Sequence, residues 1–413
     1  MERRSLLRLV RPLRLKSFRL LFFATVGSSL GTLLAAVALA IDVEDRTDSG
    51  LWVGGLMVVE FLPTIAVGLL LGPLLDRLSR RGLMVGADLV RAAVFCTLPF
   101  APGAGSIVAL AALAGLASGV FRPAAYAGVP NLVSDDELPA ANALLQSSEN
   151  TSWAIAPVIG GVLTAAAGPH AAYWINGVTF LLSALMVAQI PQRLLQSSVA
   201  LSRGHWSDLR DGAEVVLRSR SLLTVLVAWT IASVGIGIGN VVELFLAKDT
   251  FAAGDFGYGF VFGSVGVGLV LGNAVVELLE SRVGVAHTYG IGIGLIAAGF
   301  ALVAVSPNVW VASVCFCVSG VGNGIAGVCN ALFVQRGVED ELRGRAVTLI
   351  MSTNFIAIGG GMAVAGLLLE GLGARGAVGL AAGIFAAAGI AGTLLVRGSS
   401  RAAGPAPAPD AAL

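Results

Sequence analysis

Acidic residues inside apolar stretches are the residues of this sequence best suited to chemistry. Glu60 lies in LMVVEFLP, Glu243 lies in NVVELF, and Asp88 stands three residues before Arg91. An ionised carboxylate among apolar residues is costly, so it usually faces a cavity, a partner or a transported ion. Glu60, Glu243 and Asp88 are therefore candidates for carrying a proton or for binding a substrate.

Each of these acids also has another interpretation. Glu60 lies about 13 Å into its apolar run at ~1.5 Å per residue, where it could instead attract a cationic substrate or be hydrogen-bonded for packing. Asp88 and Arg91 share a helix face, which favours a structural ion pair. Glu243, with Asn240 one turn earlier, is expected near the outer surface, as part of an outer gate or a proton entrance.

The composition is that of an integral membrane protein. Of the 413 residues, 56% are hydrophobic and 12% are charged, against about 25% charged in soluble domains, and the mean hydropathy is +0.87. The net charge of +1 leaves no basic surface for a nucleic acid. A membrane-spanning helix needs about 20 apolar residues, and the sequence has twelve such runs. They begin near Phe18, Leu51, Leu83, Ser106, Ser147, Ala171, Leu222, Phe256, Val285, Val309, Thr348 and Gly376.

We expect an all-α membrane protein with twelve transmembrane helices in two pseudo-symmetric six-helix bundles. The predicted organisation is a first bundle over 1–190, a cytoplasmic linker over 191–220, a second bundle over 221–400 and a disordered tail over 401–413. We expect a monomer that lies in the lipid bilayer of the inner (cytoplasmic) membrane.

The distribution of basic residues predicts the orientation. Most arginines fall in alternate loops, and the remaining loops hold only Arg46, Lys248 and Arg375. By the positive-inside rule, both termini are expected in the cytoplasm. The first outer loop is expected to be acidic and solvated. Its acids are Asp42, Glu44, Asp45 and Asp48.

An internal repeat supports the division into two bundles. At a constant offset of 204 positions, Leu74-Leu75-Asp76 coincides with Leu278-Leu279-Glu280, and Asp136-Glu137-Leu138 coincides with Asp340-Glu341-Leu342. Such an offset among polar loop residues is hard to obtain by chance. Parallel repeats point to a secondary transporter with a substrate site between its halves.

Other chemistries find no support in the sequence. Four cysteines and three histidines form no metal-ligand or triad pattern, and no Gly-Lys-Ser/Thr loop is present for ATP. Gly322-Asn323-Gly324-Ile325-Ala326-Gly327 fits a dinucleotide pattern but lies in an apolar run with no preceding strand, which indicates helix packing. We expect no cofactor, no metal and no enzymatic activity.

The segment GPLLDRLSRRG between the second and third runs resembles the signature loop of the major facilitator superfamily. Ser79 departs from the usual glycine, and Leu75 from the usual small residue. The resemblance implies a twelve-helix transporter in which this loop controls the change of conformation. The residues that match and carry this role are Gly72, Asp76, Arg77, Arg80 and Arg81, and Arg122 stands where the superfamily often has a membrane-embedded arginine.

A second motif resembles an element of proton-coupled exporters in the same superfamily. Ala156-Pro157-Val158-Ile159-Gly160-Gly161 has Ala156 where the first glycine is usual. Proline and glycine also serve ordinary helix packing, which is the alternative. The segment from Phe121 to Leu144 is similar to a branch that includes enterobactin exporters and macrolide efflux pumps.

These resemblances imply an exporter that exchanges protons for a small amphiphilic compound. The alternatives are a siderophore exporter and an importer or uniporter on the same fold. Polar and aromatic residues on spans that line the cavity in this superfamily are expected to contact the substrate. They include Ser29, Asn176, Trp229, Asn240 and Asn354.

Overall fold

The structure is a computed structural model that describes residues 10–75, 78–195, 213–214, 216–217, 219–337 and 340–402. Within these residues every regular element is a helix. Eight of the described helices are long and apolar enough to cross a membrane. The chain is therefore a multi-pass helical membrane protein.

The first half contains long helices joined by short turns. Their bounds are α1 Lys16–Thr47, α2 Gly50–Leu75, α3 Arg80–Thr97, α4 Ala104–Gly128, α5 Leu138–Ala167 and α6 Pro169–Ala188. Short 3-10 turns occupy Arg11–Arg14, Leu98–Phe100, Val129–Asn131 and Gln192–Leu194. Helix α5 begins well before the predicted Ser147, with Pro139 in its first turn, where the missing N–H is not needed. Its polar first turns explain why hydropathy placed the start too late.

The second half contains fewer but longer helical stretches. Their bounds are α7 Arg220–Phe245, a π-helical turn Leu246–Thr250, α8 Gly254–Ala304, α9 Val309–Gly337 and α10 Asp340–Ala402. Gly284 in α8 has φ 78°, and Gly373 in α10 has φ 67°, so each stretch is two helices joined at a kink. Residues 401 and 402 still belong to α10, whereas the rest of the predicted tail and residues 196–212 of the predicted linker lie outside the described residues.

The packing separates two groups of helices. In the first half α1 packs on α5 and α6, and α4 packs on α2 and α3. In the second half α8 packs on α9 and α10, and α7 packs on α10. The two halves meet chiefly through α5 with α8 and through α2 with α10.

Among the described residues, the buried apolar core is shared between the halves at one end of the molecule only. One continuous cluster joins residues of both halves, such as Leu34 and Val53 with Val241 and Met362. At the other end, the core is divided into a first-half cluster around Met84 and a second-half cluster whose members include Val216, Leu222, Val334, Ala346 and Ile350. We call these the Lys248 end and the Arg80 end, after a residue at each.

Candidate functional site

The exporter-like motif of α5 lies directly on α8 of the other half. A Cβ on Gly161 would lie 2.9 Å from the Cα of Gly259, and a Cβ on Gly259 would lie 2.5 Å from the carbonyl oxygen of Pro157. Further along α8, a Cβ on Gly266 would lie 2.4 Å from the carbonyl oxygen of Trp153. The two backbones can approach this closely only because these positions are glycine.

Other motif residues pack α5 inside its own half. Ala156 is buried, and a Cβ on Gly160 would lie 2.6 Å from the carbonyl oxygen of Leu34 on α1. The motif therefore seats α5 against α1 on one side and against α8 on the other.

The second contact between the halves joins α2 to α10. A Cβ on Gly54 would lie 2.5 Å from the carbonyl oxygen of Met362. Nearer the middle of the helices, the rings of Phe61 and Phe355 meet edge to face with centroids 5.1 Å apart. This contact is apolar, so it excludes water between the halves along the Lys248-end portion of α2.

An ionic cluster joins the halves at the Lys248 end. The ammonium of Lys248 donates hydrogen bonds to Glu44 and Asp45 of α1, and it lies 3.6 Å from Asp255. We call these four residues the Lys248 cluster. The expectation of a solvated acidic loop was wrong for Asp42 and Glu44, which are buried on α1, a helix that continues to Thr47. Glu44 is buried because Lys248 neutralises it, whereas Asp45 and Asp48 are exposed.

A hydrogen-bonded network holds the end of α1 in place. Asp42 is buried; it accepts a hydrogen bond from Tyr173 at 2.8 Å and another from Arg46 at 2.7 Å. Arg46 also donates to the carbonyl oxygen of Ala101 at 3.2 Å. The network ties α1 to α6 and to the turn after α3, and it keeps Glu44 and Asp45 at the interface.

The arginines of the signature loop bind within the first half. Arg80 donates to the carbonyl oxygens of Ala127 at 2.9 Å and Leu195 at 3.2 Å, and Arg81 donates to that of Ile190 at 3.3 Å. Ser79, where the family usually has glycine, caps α3 by accepting from the N–H of Gly82. Gly72 lies within α2, while Asp76 and Arg77 lie outside the described residues.

Further ion pairs at the Arg80 end also stay within one half. Arg122 pairs with Glu149 at 2.9 Å, its side chain 64% exposed. Arg11 pairs with Glu137 at 2.8 Å and with Asp136 at 3.6 Å. A hydrogen bond from Ser134 lowers the pKa of Asp136.

Asp88 lies in the interior of the first half. It is fully buried; it accepts hydrogen bonds from Arg91 and, at 2.6 Å, from Ser183. The guanidinium of Arg91 also stacks on the rings of Phe180 at 4.2 Å and Phe121 at 4.5 Å. Such a buried ion pair, which contacts three helices, is suited to holding α3, α4 and α6 together.

Glu60 lies on α2, half-buried, beside α4. A Cβ on Gly115 of α4 would lie 2.8 Å from its carbonyl oxygen. The next residue on α2, Phe61, contacts Phe355 of α10, so Glu60 is adjacent in sequence to the contact between the halves.

Glu243 lines a cavity of about 40 Å³ between α7, α8 and α9. Asn240, Ser319 and Asn323 provide the other polar walls. Glu243 is 5% exposed. Within the described residues, no group of three or more His, Cys, Asp or Glu side chains is placed to hold a metal ion.

The remaining candidates are distributed over several helices. Asn176 is fully buried against Gly31 of α1, where its Oδ1 accepts from Thr179 at 3.1 Å. Asn354 accepts from Thr230 at 3.3 Å across α10 and α7. Ser29 and Trp229 are half-buried, and Trp229 packs on the shared core. Only Asn240 is brought together with a candidate acid.

A family comparison decides what kind of protein these helices form. Residues 9–404 match the family model described as transmembrane secretion effector, of the major facilitator superfamily (MFS). The chain belongs to this family. The resemblance seen in the loop and span motifs is thereby confirmed, and the protein is a membrane transporter, not an enzyme.

Relatives of this chain include bacterial exporters. The multidrug efflux pump Tap of Mycobacterium tuberculosis (strain ATCC 25618 / H37Rv) is 25% identical over 86% of this chain and 87% of its own length. The putative bacilysin exporter BacE of Bacillus subtilis (strain 168) is 27% identical over 55% and 57%. The uncharacterized MFS-type transporter YfiS of the same strain is 24% identical over 77% and 78%. These relatives place the protein in a bacterial cell membrane.

Solved transporters share the fold. A bacterial homologue of the iron transporter ferroportin, in an inward-facing state, superposes with a TM-score of 0.75 at 15% identity, covering 93% of this chain and 98% of that one. The nucleoside transporter NupG superposes with a TM-score of 0.70 at 16% identity, covering 94% and 99%. At these identities the likeness concerns the MFS fold alone.

Sequence reasoning missed two features of the interface and the cavity. It assigned Lys248 to an outer loop and Asn323 to a glycine-packing segment. The repeat offset carries a signal for both: Lys248 lies 204 positions after Glu44, its partner, and Asn323 occupies the position equivalent to Gly119. A polar residue where the other repeat has glycine is not required by helix packing.

Proposed function

We propose that this protein exports a small amphiphilic compound from the cytoplasm in exchange for protons, by alternating access. The two halves would open in turn to the cytoplasm and to the outside. The relatives named as exporters support the direction, and the exporter-like motif of α5 at the contact between the halves supports a role in the conformational change.

The kinks support a count of twelve spans in two six-helix bundles. Dividing α8 at Gly284 and α10 at Gly373 gives six helices after the linker, as in the first half. With the arginine-rich Arg80 end in the cytoplasm, both termini lie inside and the Lys248 end faces out. We propose a monomer, with residues 1–190 and 221–400 as the two bundles.

The observation that carries the proposal is the distribution of contacts between the halves. Among the described residues, the core is continuous across them at the Lys248 end and divided at the Arg80 end. The ion pairs of Lys248 with Glu44 and Asp45 cross between the halves, whereas the described ion pairs at the Arg80 end stay within one half. This distribution supports a state that is closed at the outer end, as an exporter needs while it loads substrate from the cytoplasm.

Glu60 is the acid that we propose to carry the proton. It lies on α2, one of the two helices through which the first half meets the second, and it directly precedes Phe61, whose ring contacts Phe355 of α10. In this proposal, protonation of Glu60 favours one arrangement of this contact over the other, which links proton binding to conformation. We propose that Asp76, Arg77, Arg80 and Arg81 bridge the halves in the outward-open state, because among the described residues Arg80 and Arg81 donate hydrogen bonds to carbonyl oxygens of their own half.

Two alternatives remain on the same fold: a siderophore exporter, and an importer or uniporter. Siderophore export differs in substrate alone and would appear as secretion of an iron chelator. An importer or uniporter would show no acceleration of efflux from loaded vesicles by inward proton flow.

Asp76→Asn tests the proposed conformational role. We expect weaker efflux with unchanged membrane insertion, measured as drug tolerance of an efflux-deficient host and as protein in the membrane fraction. Asp135→Asn, at an exposed acid of the same end, is the matched control and should leave efflux intact. Normal efflux by the Asp76 variant would contradict the role.

A further inference from the structure

We propose that the cavity lined by Glu243, Asn240, Ser319 and Asn323 binds a monovalent metal cation such as Na⁺. This site lies inside the second half, apart from the space between the halves. It is independent of the proton site proposed at Glu60, and it does not rest on the direction of transport.

The donor atoms fit a hard cation with one charge. The four side chains offer a carboxylate, two amide oxygens and a hydroxyl, and hard cations prefer oxygen ligands of these kinds. One carboxylate among neutral oxygens balances one positive charge. A proton would bind to the carboxylate alone, and the two amides and the hydroxyl would then have no role in binding it.

The polar groups of the cavity are not used elsewhere. Glu243 and Ser319 are 5% and 4% exposed, and none of the four side chains makes a hydrogen bond or ion pair with another described residue. A buried carboxylate without a partner is costly, and Glu243 is such a group facing a cavity. A bound cation would remove this cost.

The size of the cavity limits the ligand. Its volume of about 40 Å³ accommodates a few particles of water size, whereas pockets for drug-sized ligands have about 300–1,000 Å³. The remaining wall is apolar and includes Phe300 and Ile296. The cavity therefore suits an ion, with or without a water, and not the transported compound.

The internal repeat shows that the fold does not need these polar residues. At the offset of 204, Asn240 and Glu243 correspond to Ala36 and Leu39. Ser319 and Asn323 correspond to Gly115 and Gly119. The first half thus builds the same helices with small or apolar residues at every equivalent position. The polar set in the second half points to a ligand.

The test measures cation binding to the purified full-length protein. We would follow thermal unfolding and binding of radioactive sodium in NaCl, KCl and CaCl₂, with choline chloride keeping the ionic strength constant. We expect Na⁺ or K⁺ to raise the unfolding temperature in a saturable way, because a ligand of the folded state stabilises it. Glu243→Gln and Asn323→Ala should each weaken binding at least about tenfold, equivalent to ~1.4 kcal/mol.

Glu60→Gln is the matched control, because it removes a half-buried acid outside the cavity and should retain the cation response. The proposal is overturned if no monovalent cation shifts the wild-type protein, if Ca²⁺ alone does, or if Glu243→Gln keeps the response. It is also overturned if a change of pH shifts the unfolding temperature in a way that depends on Glu243 while no cation does. Since none of these readouts is transport, a failure here leaves the exporter proposal standing, and loss of efflux with intact cation binding leaves this inference standing.

Discussion

Replacing Lys248 with glutamine should open the Lys248 end. The side chains of Lys248 and Glu44 are 14% and 8% exposed, and removing one member of a buried pair costs about 3–5 kcal/mol. The pair with Asp45, whose side chain is 53% exposed, contributes about 0.2–1 kcal/mol. We take about 3 kcal/mol for the whole cluster. That corresponds to a roughly 100-fold shift in the equilibrium between the two conformations, at ~1.4 kcal/mol per tenfold.

Pulsed electron paramagnetic resonance distances between spin labels measure this shift. In a background without the four native cysteines, labels at Pro102 and Asn308 report on the Lys248 end, and labels at Leu78 and Ser281 report on the Arg80 end. All four positions are exposed. In Lys248→Gln we expect a longer distance to appear at the Lys248 end and a shorter one at the Arg80 end, because alternating access couples the two.

The matched control is Lys248→Arg, which keeps the charge and should keep the parent distances. The reasoning is refuted if Lys248→Gln leaves both distance distributions unchanged. It is refuted equally if the Lys248 end lengthens while the Arg80 end does not respond, since that result means local fraying and no coupled movement.

Two further substitutions test the packing. Asp88→Asn leaves the buried charge of Arg91 without its counter-ion and should lower the free energy of unfolding by about 3–5 kcal/mol, measured by denaturant or thermal unfolding. The control is Glu149→Gln, at a pair with an exposed arginine, which should lower it by less than about 1 kcal/mol. Equal losses in the two variants would contradict the structural role of Asp88. Gly266→Ala places a Cβ against the Trp153 backbone and should disfavour the closed conformation of the Lys248 end by about 1–3 kcal/mol, measured as a longer distance between the spin labels there. The control is Gly290→Ala, which has open space around it and should leave the distance unchanged. The same distances in both variants would contradict a specific contact at Gly266.

Much of the fold could be predicted, because the apolar runs of a sequence predict its membrane-spanning helices and the charges of its loops predict their orientation. Each predicted run lies on a helix, and the predicted break before Val285 lies at the Gly284 kink. The start of α5 could not be placed from hydropathy, because its first turns are polar and lie at the Arg80 end. Hydropathy describes a segment by its average, whereas a helix continues wherever its polar groups find water or partners.

The site was less predictable because its contacts join distant parts of the chain. Glu60 and Asp88 could be selected as buried acids, but only packing distinguishes Asp88, bound to Arg91 and Ser183. The burial of Glu44 depends on Lys248 in the other repeat. Four acidic residues in seven otherwise indicate a solvated loop, so the sequence near Glu44 alone predicts the opposite of what is found for Glu44.

Transport by inverted membrane vesicles tests the central claim, proton-coupled export, most directly. The probe is the compound, chosen from a panel of amphiphilic antibiotics and dyes, against which the wild-type protein best protects an efflux-deficient host. We predict that inverted vesicles take up this compound when respiration acidifies their lumen, that a protonophore abolishes the uptake, and that Glu60→Gln lacks it although the protein is present at wild-type level. Uptake that persists with the protonophore, uptake that is unchanged in Glu60→Gln, or sensitisation of the host in place of protection would contradict the account.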